Sequence, residues 1–251
     1  MNIQEKAERF AKLHVKGQPL LLYNAWDAGS AKAVATAGAT AIATSSWAVA
    51  AAHGYEDGEF LPIELSEAVI ARIVKTVDLP VTADIEGGYG ESDEVLAQNA
   101  ARFLDLGVVG LNFEDRVVAG TGLYDANRQA SRIAAIRSVA DQRKFPLFIN
   151  ARTDLFLSDS RGHHALLEEA KRRSEAYAEA GASGFFVPGL SDAGLIEAIC
   201  EHSSLPVNVM VMPGVPTIGE LVGLGVARIS FGPIPYLETM ARLSAAAREA
   251  T

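Results

Sequence analysis

The chain contains almost no cysteine, since Cys200 is the only one among its 251 residues. An internal disulfide, a thiolate zinc cage and a dithiol redox pair are therefore excluded, because each of them needs more than one thiol. A single thiol is typical of proteins in a reducing compartment. We therefore expect this chain to act in the cytoplasm.

Long hydrophobic runs are also missing, and none approaches the ~20 residues of a membrane-spanning helix. The N-terminal segment MNIQEKAERFAKLH predicts an amphipathic helix with Ile3, Ala7 and Phe10 on one face, and not a signal peptide. No linker or low-complexity tract interrupts the 49% hydrophobic content. We expect one domain over residues 1–251 and no membrane partner.

Positive charge is scarce, because the chain has 22 Lys and Arg but 31 Asp and Glu, which gives a formal net charge of -9. A nucleic-acid partner is not expected, since phosphate binding needs clustered basic residues. The lysines lie only in predicted helices or before predicted strands, which disfavours a Schiff-base mechanism. An anionic substrate would have to be recruited by a local arginine and a metal ion.

Short apolar runs recur along the whole chain and predict eight strands separated by helical segments. The runs are Leu20–Asn24, Ala41–Ser45, Val81–Glu86, Val108–Glu114, Leu147–Arg152, Gly184–Pro188, Val207–Val211 and Arg228–Gly232. Four glycines, Gly38, Gly107, Gly181 and Gly225, precede strands in register and predict helix ends. The pattern favours an α/β fold, a single (β/α)8 TIM barrel, over a doubly wound sheet, and no nucleotide-binding glycine motif supports the latter.

Acidic residues stand where two of the apolar runs end, in ADIEGG and NFED. Because side chains alternate along a strand, the inward set is Thr82, Asp84 and Glu86 in the first run and Asn112 and Glu114 in the second, whereas Val109, Leu111 and Phe113 face the helices. Converging carboxylates repel unless a proton or a hard cation offsets them. We therefore expect a Mg²⁺ site, in which Mn²⁺ could substitute.

The segments NAWDAGSA, ADIEGGYG, NFED and NARTD, in their order and strand positions, resemble the isocitrate lyase and phosphoenolpyruvate mutase superfamily. Nearly the whole chain takes part in the resemblance. It implies a Mg²⁺-dependent barrel that cleaves or forms C–C or P–C bonds beside a 2-oxo acid. It also implies a homo-oligomer, a dimer or tetramer, whose last helix is exchanged between subunits.

The resemblance also implies roles for individual residues. Asp84 would bind the metal directly. The carboxylates of three other residues would hold the metal's water molecules: Asp57, Glu86 and Glu114. Arg152 would clamp the substrate carboxylate, and the remaining substrate contacts would come from Ser45, Ser46, Trp47 and Asn208.

The alternation of side chains along the first predicted strand places Asn24 inward, above the core. Asn24 could therefore either bind the substrate or have a structural role. Other interpretations stay open for two residues: Arg152 could pair with Asp154, and Asp57 could be a solvated turn acid. We read Asp27 as a helix N-cap.

The sequence departs from this superfamily in the loop after the fourth strand, DRVVAGTGLYD. Lyases that split isocitrate or methylisocitrate carry a cysteine and a histidine there, and the phosphonomutases use a lysine. None of these residues is present, which argues against both activities. The loop contains Gly120 and Gly122 and could close over a substrate, or it could be an ordinary connection.

The leading hypothesis is a Mg²⁺-dependent lyase that acts on a small 2-oxo or 2-hydroxy dicarboxylic acid, similar to an oxaloacetate decarboxylase. Decarboxylation needs no base to begin, which suits a loop without cysteine. The alternatives are a P–C bond mutase or hydrolase with Asp57 as phosphoryl acceptor, and a non-catalytic 2-oxo-acid-binding protein. The closing helix carries apolar Tyr236, Leu237, Met240 and Leu243 that could dock on another subunit.

Overall fold

The computed structural model describes residues 1–118, 120–158 and 162–250. The strands are β1 (Leu20–Leu22), β2 (Ile42–Ala43), β3 (Val81–Asp84), β4 (Gly110–Glu114), β5 (Phe148–Arg152), β6 (Gly184–Phe186), β7 (Val207–Met210) and β8 (Arg228–Ser230). The helices are α1 (Ile3–Lys12), α2 (Ala28–Thr36), α3 (Ser46–Ala52), α4 (Ile63–Thr76), α5 (Asp93–Asp105), α6 (Ala126–Gln142), α7 (Leu155–Ser158), α8 (His163–Glu179), α9 (Ala193–His202), α10 (Ile218–Gly223) and α11 (Ile234–Ala250).

The eight strands form one parallel sheet in the order β1-β8-β7-β6-β5-β4-β3-β2. The two outermost strands meet beyond their ends, where Ala25 bridges Thr44 in parallel and the Ala25 N–H donates to the Ala43 carbonyl at 2.8 Å. This contact closes the sheet into a barrel. The predicted (β/α)8 fold is confirmed.

The four glycines predicted to end helices do so. Gly38, Gly107, Gly181 and Gly225 follow α2, α5, α8 and α10, with φ of 96°, 92°, 92° and 81°. In this left-handed region a residue with a Cβ is strained, so glycine is favoured where the chain turns from a helix toward the next strand. Asp27 caps α2, as predicted, by accepting from the Ser30 N–H at 2.6 Å.

The helix α1 closes the amino end of the barrel. Ala7 and Phe10 are fully buried against Leu22 and Phe148, whereas Ile3 remains 41% exposed. Val109 also belongs to this inner cluster. Its predicted position facing the helices was wrong, because β4 begins only at Gly110 and strict alternation does not extend back to Val109.

Most strands are shorter than predicted, chiefly at their carboxyl ends. The strand β3 ends at Asp84, and Glu86 adopts a left-handed conformation with φ of 52°. The prediction that Glu86 continues the strand was therefore wrong, because the chain already turns there. The strands β1 and β2 likewise end before Asn24 and Ser45, which puts both residues in connections above the sheet.

None of the helices in the described part of the chain combines the length and the apolar character that crossing a bilayer requires.

Candidate active site

A cavity of about 190 Å³ lies at the carboxyl ends of the strands. The predicted site residues that line it are Asn24, Ser45, Ser46, Trp47, Asp57, Asp84 and Arg152. The rest of its wall consists of Asn112, Leu157, Phe186, Met210, Ser230, Gly232 and Pro233. Glu86, Glu114 and Asn208, which were also predicted, do not line it.

Asp84 is oriented by the segment after β2. Its Oδ2 accepts hydrogen bonds from the Ser46 N–H at 3.1 Å and the Ser46 hydroxyl at 2.8 Å, and its own N–H donates to Thr44 Oγ1 at 2.9 Å. The other oxygen, Oδ1, is buried and has no hydrogen-bond partner in the described structure. A buried acceptor without a partner costs free energy, so this oxygen is available for a ligand.

Asp57, in the loop between α3 and α4, has a second such oxygen. Its Oδ1 is also buried and without a partner among the described residues. Burial raises the pKa of Asp57, and the negative charge of Asp84 raises it further. Two carboxylates that line one cavity and repel each other invite a cation or a shared proton.

Glu86 faces the same loop and not the cavity. Its Oε2 accepts from the N–H groups of Gly58 at 2.8 Å and Glu59 at 2.7 Å. Burial, together with the charges of Asp57 and Asp84, raises the pKa of Glu86 to about 8. Glu86 therefore holds the backbone beside Asp57 and belongs to the same electrostatic cluster.

Arg152, at the end of β5, is tied to two buried carboxylates. Its Nε and Nη2 donate to the two oxygens of Asp154 at 2.5 and 2.9 Å, and its Nη1 lies 2.9 Å from Glu114 Oε2. The pairing with Asp154 was one of the two interpretations from the sequence. Burial lowers the pKa of Arg152, but Glu114 and Asp154 outweigh burial and raise it. Two of the five guanidinium N–H groups donate to Asp154, and others remain for a ligand.

The two predicted asparagines differ in position. Asn24 lines the cavity, but its amide also joins the strand ends, donating to the Thr44 carbonyl at 2.8 Å and accepting from Gly232 N–H at 2.9 Å. Asn208 is fully buried, one inward position before Met210 on β7, and its Nδ2 has no described partner. The structure thus brings Asn24 to the cavity and leaves Asn208 within the barrel.

Sequence reasoning missed Arg228, a fully buried guanidinium on β8. Its Nη2 donates to Asn112 Oδ1 at 3.0 Å, and Asn112 lines the cavity. Burial lowers the pKa of Arg228 to about 9, and the charge of Asp84 opposes the shift. The only signal was an arginine at an inward position of the apolar run VARIS, where burial of a charge needs compensation.

The missed apolar wall of the cavity is formed by Leu157, Phe186 and Met210. The last two occupy inward positions at the ends of β6 and β7, where the sequence predicts ordinary core. The cavity therefore combines acidic and guanidinium groups with apolar side chains, and the Phe186 ring lies beside Arg152, 5.9 Å from its Cζ.

The residues fit a divalent cation held mainly by water and substrate. Across the described ranges, no three acidic, histidine or cysteine side chains converge as a ready set of ligands. Asp84 and Asp57 nevertheless line one cavity, and each has one buried oxygen without a partner in the described structure. This fits Mg²⁺, which is commonly bound by one or two carboxylates and keeps several waters.

Comparisons with known proteins show the family and the fold of the chain. Residues 10–251 match the family described as phosphoenolpyruvate phosphomutase. A crystal structure of a candidate phosphonomutase from Burkholderia cenocepacia J2315 superimposes with a TM-score of 0.96, at 47% identity over 100% of both chains.

Curated relatives extend this comparison to named activities. An uncharacterised protein of Mycobacterium tuberculosis is 35% identical over 95% of this chain and 87% of its own. An oxaloacetate decarboxylase of Pseudomonas aeruginosa is 32% identical over 71% of this chain and 62% of its own. Proteins named 2-methylisocitrate lyase are also similar, at 29% and 30% identity.

The raised pKa values predict how a divalent cation and pH act together on stability. Because the pKa of Glu86 is raised to about 8, its contribution to stability is present below its unfolded-state pKa of about 4.5 and is lost as pH rises through about 8. A cation competes with these protons. We expect Mg²⁺ to raise the melting temperature more at pH 8.5 than at pH 6.5, as measured by differential scanning fluorimetry.

The matched variant Glu86→Gln keeps an oxygen for the two loop amides but has no charge to titrate. Its Mg²⁺-dependent shift should vary less with pH than that of the wild type. Equal Mg²⁺ shifts at both pH values in the wild type would contradict the proposed cluster.

Proposed function

Because the chain belongs to the phosphoenolpyruvate phosphomutase family, we propose that it is a Mg²⁺-dependent lyase acting on a small 2-oxo diacid such as oxaloacetate. The observation that carries the proposal is the pair of free, buried oxygens of Asp84 and Asp57 in one cavity with Arg152. A 2-oxo acid presents a carboxylate beside a carbonyl oxygen. The cavity offers guanidinium N–H groups for the first and a cation site for the second.

In this proposal Asp84 holds the cation directly and Asp57 holds one of its water molecules, whereas Glu86 and Glu114, which do not line the cavity, act on the site through their charges. Mn²⁺ would serve in the same way. When bound, Mg²⁺ stabilises negative charge that develops on the substrate oxygen during bond cleavage. The raised pKa values of Asp57 and Glu86 support a site whose carboxylates are poorly compensated by protein groups alone.

Arg152, which pairs with Asp154 and Glu114, orients the substrate through the guanidinium N–H groups that its hydrogen bonds to Asp154 leave free. Because those two acids fix the guanidinium plane, little side-chain entropy is lost when a carboxylate binds. Ser45 accepts from the Ala48 N–H at 3.4 Å and keeps its own hydroxyl proton for a second contact. Arg152 and Ser45 together hold the acid so that its C3–C4 bond lies against the apolar side chains of the cavity.

The apolar side chains of the cavity suit loss of carbon dioxide. A C4 carboxylate placed against Leu157, Phe186 and Met210 loses hydration and meets no compensating charge from them, which favours its departure as neutral CO₂. The electron pair of the C3–C4 bond passes to C3, in conjugation with the C2 carbonyl, and a proton from solvent later restores the methyl group of pyruvate. No protein base is needed for the first step.

We propose that the loop 115–125, all of which except Ala119 is described, covers the bound acid. Its base is fixed, because buried Asp115 Oδ2 accepts from Tyr177 Oη at 2.7 Å and pairs with Arg173 Nη1 at 2.9 Å. The Tyr124 N–H donates to the Asp115 carbonyl at 2.8 Å. With its ends joined in this way, the loop would move as a unit and exclude water.

Phosphonate chemistry is the second candidate. The unpartnered Oδ1 of Asp57 could accept a phosphoryl group, and the similar structure from Burkholderia cenocepacia is described as a candidate phosphonomutase. The absence of lysine from the loop sequence 115–125 favours decarboxylation over this alternative.

We further propose that the working form is a homo-oligomer that exchanges α11 between subunits. The outward face of β1 is uncovered, with Leu21 45% exposed, beside an apolar cleft of about 710 Å³ that runs along α2. On α11, Leu237 and Leu243 are 47% and 62% exposed. If α11 of a second copy lay in this cleft, the exposed apolar surfaces of α11 and of the cleft would both be buried. The resulting homo-oligomer would be a dimer or a tetramer.

The lyase proposal predicts pyruvate release from oxaloacetate that stops when EDTA removes the metal. Asp84→Asn should lose at least about 100-fold in kcat/KM, because the ligand charge disappears from a site built on charge stabilisation. A lactate-dehydrogenase-coupled assay measures pyruvate. Free Mg²⁺ in the same buffer without protein provides the blank for decarboxylation in solution.

Two further results would contradict decarboxylation. Phosphorus NMR that shows conversion of phosphonopyruvate, with no turnover of oxaloacetate, would favour phosphonate chemistry. Mg²⁺-dependent binding of oxaloacetate in calorimetry without any product would indicate a binding protein.

The exchange of α11 predicts that a charge at its exposed apolar face dissociates the oligomer. Leu243→Lys should reduce the mass measured by light scattering to that of one chain, whereas Ile218→Lys, at an apolar residue that is 39% exposed on α10, should not. A monomeric wild type would contradict the proposal.

A further inference from the structure

Strained backbone is concentrated beside the proposed cation site. In the described part of the chain four non-glycine residues have positive φ, and three of them lie together: Glu59 at 61°, Glu86 at 52° and Tyr89 at 56°. Such conformations cost free energy and persist only where surrounding contacts hold them. The three residues belong to two segments, the loop 53–62 that carries Asp57 and the turn 85–92 that follows β3.

Carboxylates of the two segments bind each other's backbone. Glu86 Oε2 accepts from the Gly58 and Glu59 N–H groups at 2.8 and 2.7 Å, and Glu59 Oε1 accepts from the Tyr89 N–H at 2.8 Å. Loop and turn are therefore joined in both directions. Gly87 leaves room for the second link, because a Cβ there would lie 3.0 Å from Glu59 Oε1.

The turn 85–92 is itself held firmly from the helix layer. Asn99 Nδ2 on α5 donates to the carbonyls of Gly88 and Tyr89, both at 3.0 Å, and Arg132 Nη2 on α6 donates to the Gly87 carbonyl at 2.6 Å. Charge-assisted and buried hydrogen bonds of this kind fix backbone position. The loop 53–62 gains a rigid reference by binding to this turn.

We propose that Glu59 is a positioning residue for the cation site, which ties the loop carrying Asp57 to the turn after β3 and so holds the free Asp57 oxygen at the cavity beside Asp84. The inference rests on the proposed function, because it assigns Asp57 to a cation. It extends that function by a residue that neither lines the cavity nor was singled out by sequence.

Removal of the Glu59 carboxylate should weaken cation binding, although Glu59 itself does not line the cavity. Glu59→Ala should raise the Kd for Mn²⁺, measured by electron paramagnetic resonance on the metal-free protein, about tenfold, the scale expected for a partner that orients a metal ligand. Glu59→Gln should bind Mn²⁺ as the wild type does, because its amide oxygen can still accept from the Tyr89 N–H. Glu56→Ala removes an equal charge from an exposed position of the same loop and is the matched control.

A second readout needs no metal. In hydrogen exchange of the metal-free protein, the amides of Gly58, Glu59 and Tyr89 should exchange faster in Glu59→Ala than in Glu59→Gln. A lower melting temperature of Glu59→Ala with an unchanged Kd for Mn²⁺ would show a structural role only and overturn the inference.

The two proposals fail differently. No Mn²⁺ binding by the wild type would overturn the cation site and the role of Glu59 together. Wild-type binding with equal affinity in Glu59→Ala would overturn the role of Glu59 and leave the cation site standing.

Discussion

Repulsion among acidic groups at one end of the barrel is the constraint on which the rest of the site depends. Ser46 donates twice to Asp84, the loop amides of Gly58 and Glu59 bind Glu86, and Arg152 lies between Glu114 and Asp154. Each arrangement offsets part of the negative charge. What remains is one uncompensated oxygen on Asp84 and one on Asp57, and this residual charge is the reason to place a divalent cation there.

A buried arginine inside the barrel, Arg228, partly offsets the negative charge of this acidic cluster. Arg228 is buried without a carboxylate partner in the described structure and donates to Asn112, which lines the cavity. Its positive charge lies close enough to Asp84 for each to affect the other. A buried guanidinium is costly unless charge of opposite sign is near, so the acidic rim and Arg228 stabilise one another. The cavity thus combines acidic and guanidinium groups with apolar side chains, and Arg228 lies buried in the barrel behind Asn112.

Much of this architecture could be predicted from sequence. The eight apolar runs and Gly38, Gly107, Gly181 and Gly225 determine the strand count and the helix ends, and alternation placed Asp84 and Arg152 at strand ends correctly. Alternation failed where backbone leaves the extended region, as at Glu86, and before a strand begins, as at Val109. The alternation of side chains applies only to regular strands, and the loops that we propose to carry the site begin where the strands end.

The remaining features depend on contacts between distant segments. Glu59 binds Tyr89 thirty residues away, and Leu157, Phe186 and Met210 form one wall from three separate elements. An apolar residue at an inward position has the same pattern whether it fills a core or faces a substrate. Asn208 shows the reverse case, because the family resemblance implied a substrate contact for this polar residue, which is fully buried inside the barrel.

Anomalous diffraction from a crystal soaked in Mn²⁺ would locate the cation in the barrel. We expect one strong peak in the cavity, within coordination distance of Asp84 Oδ1 and on the side that faces Asp57. A peak only at surface carboxylates, or none in the cavity at saturating Mn²⁺, would contradict the proposed cation site.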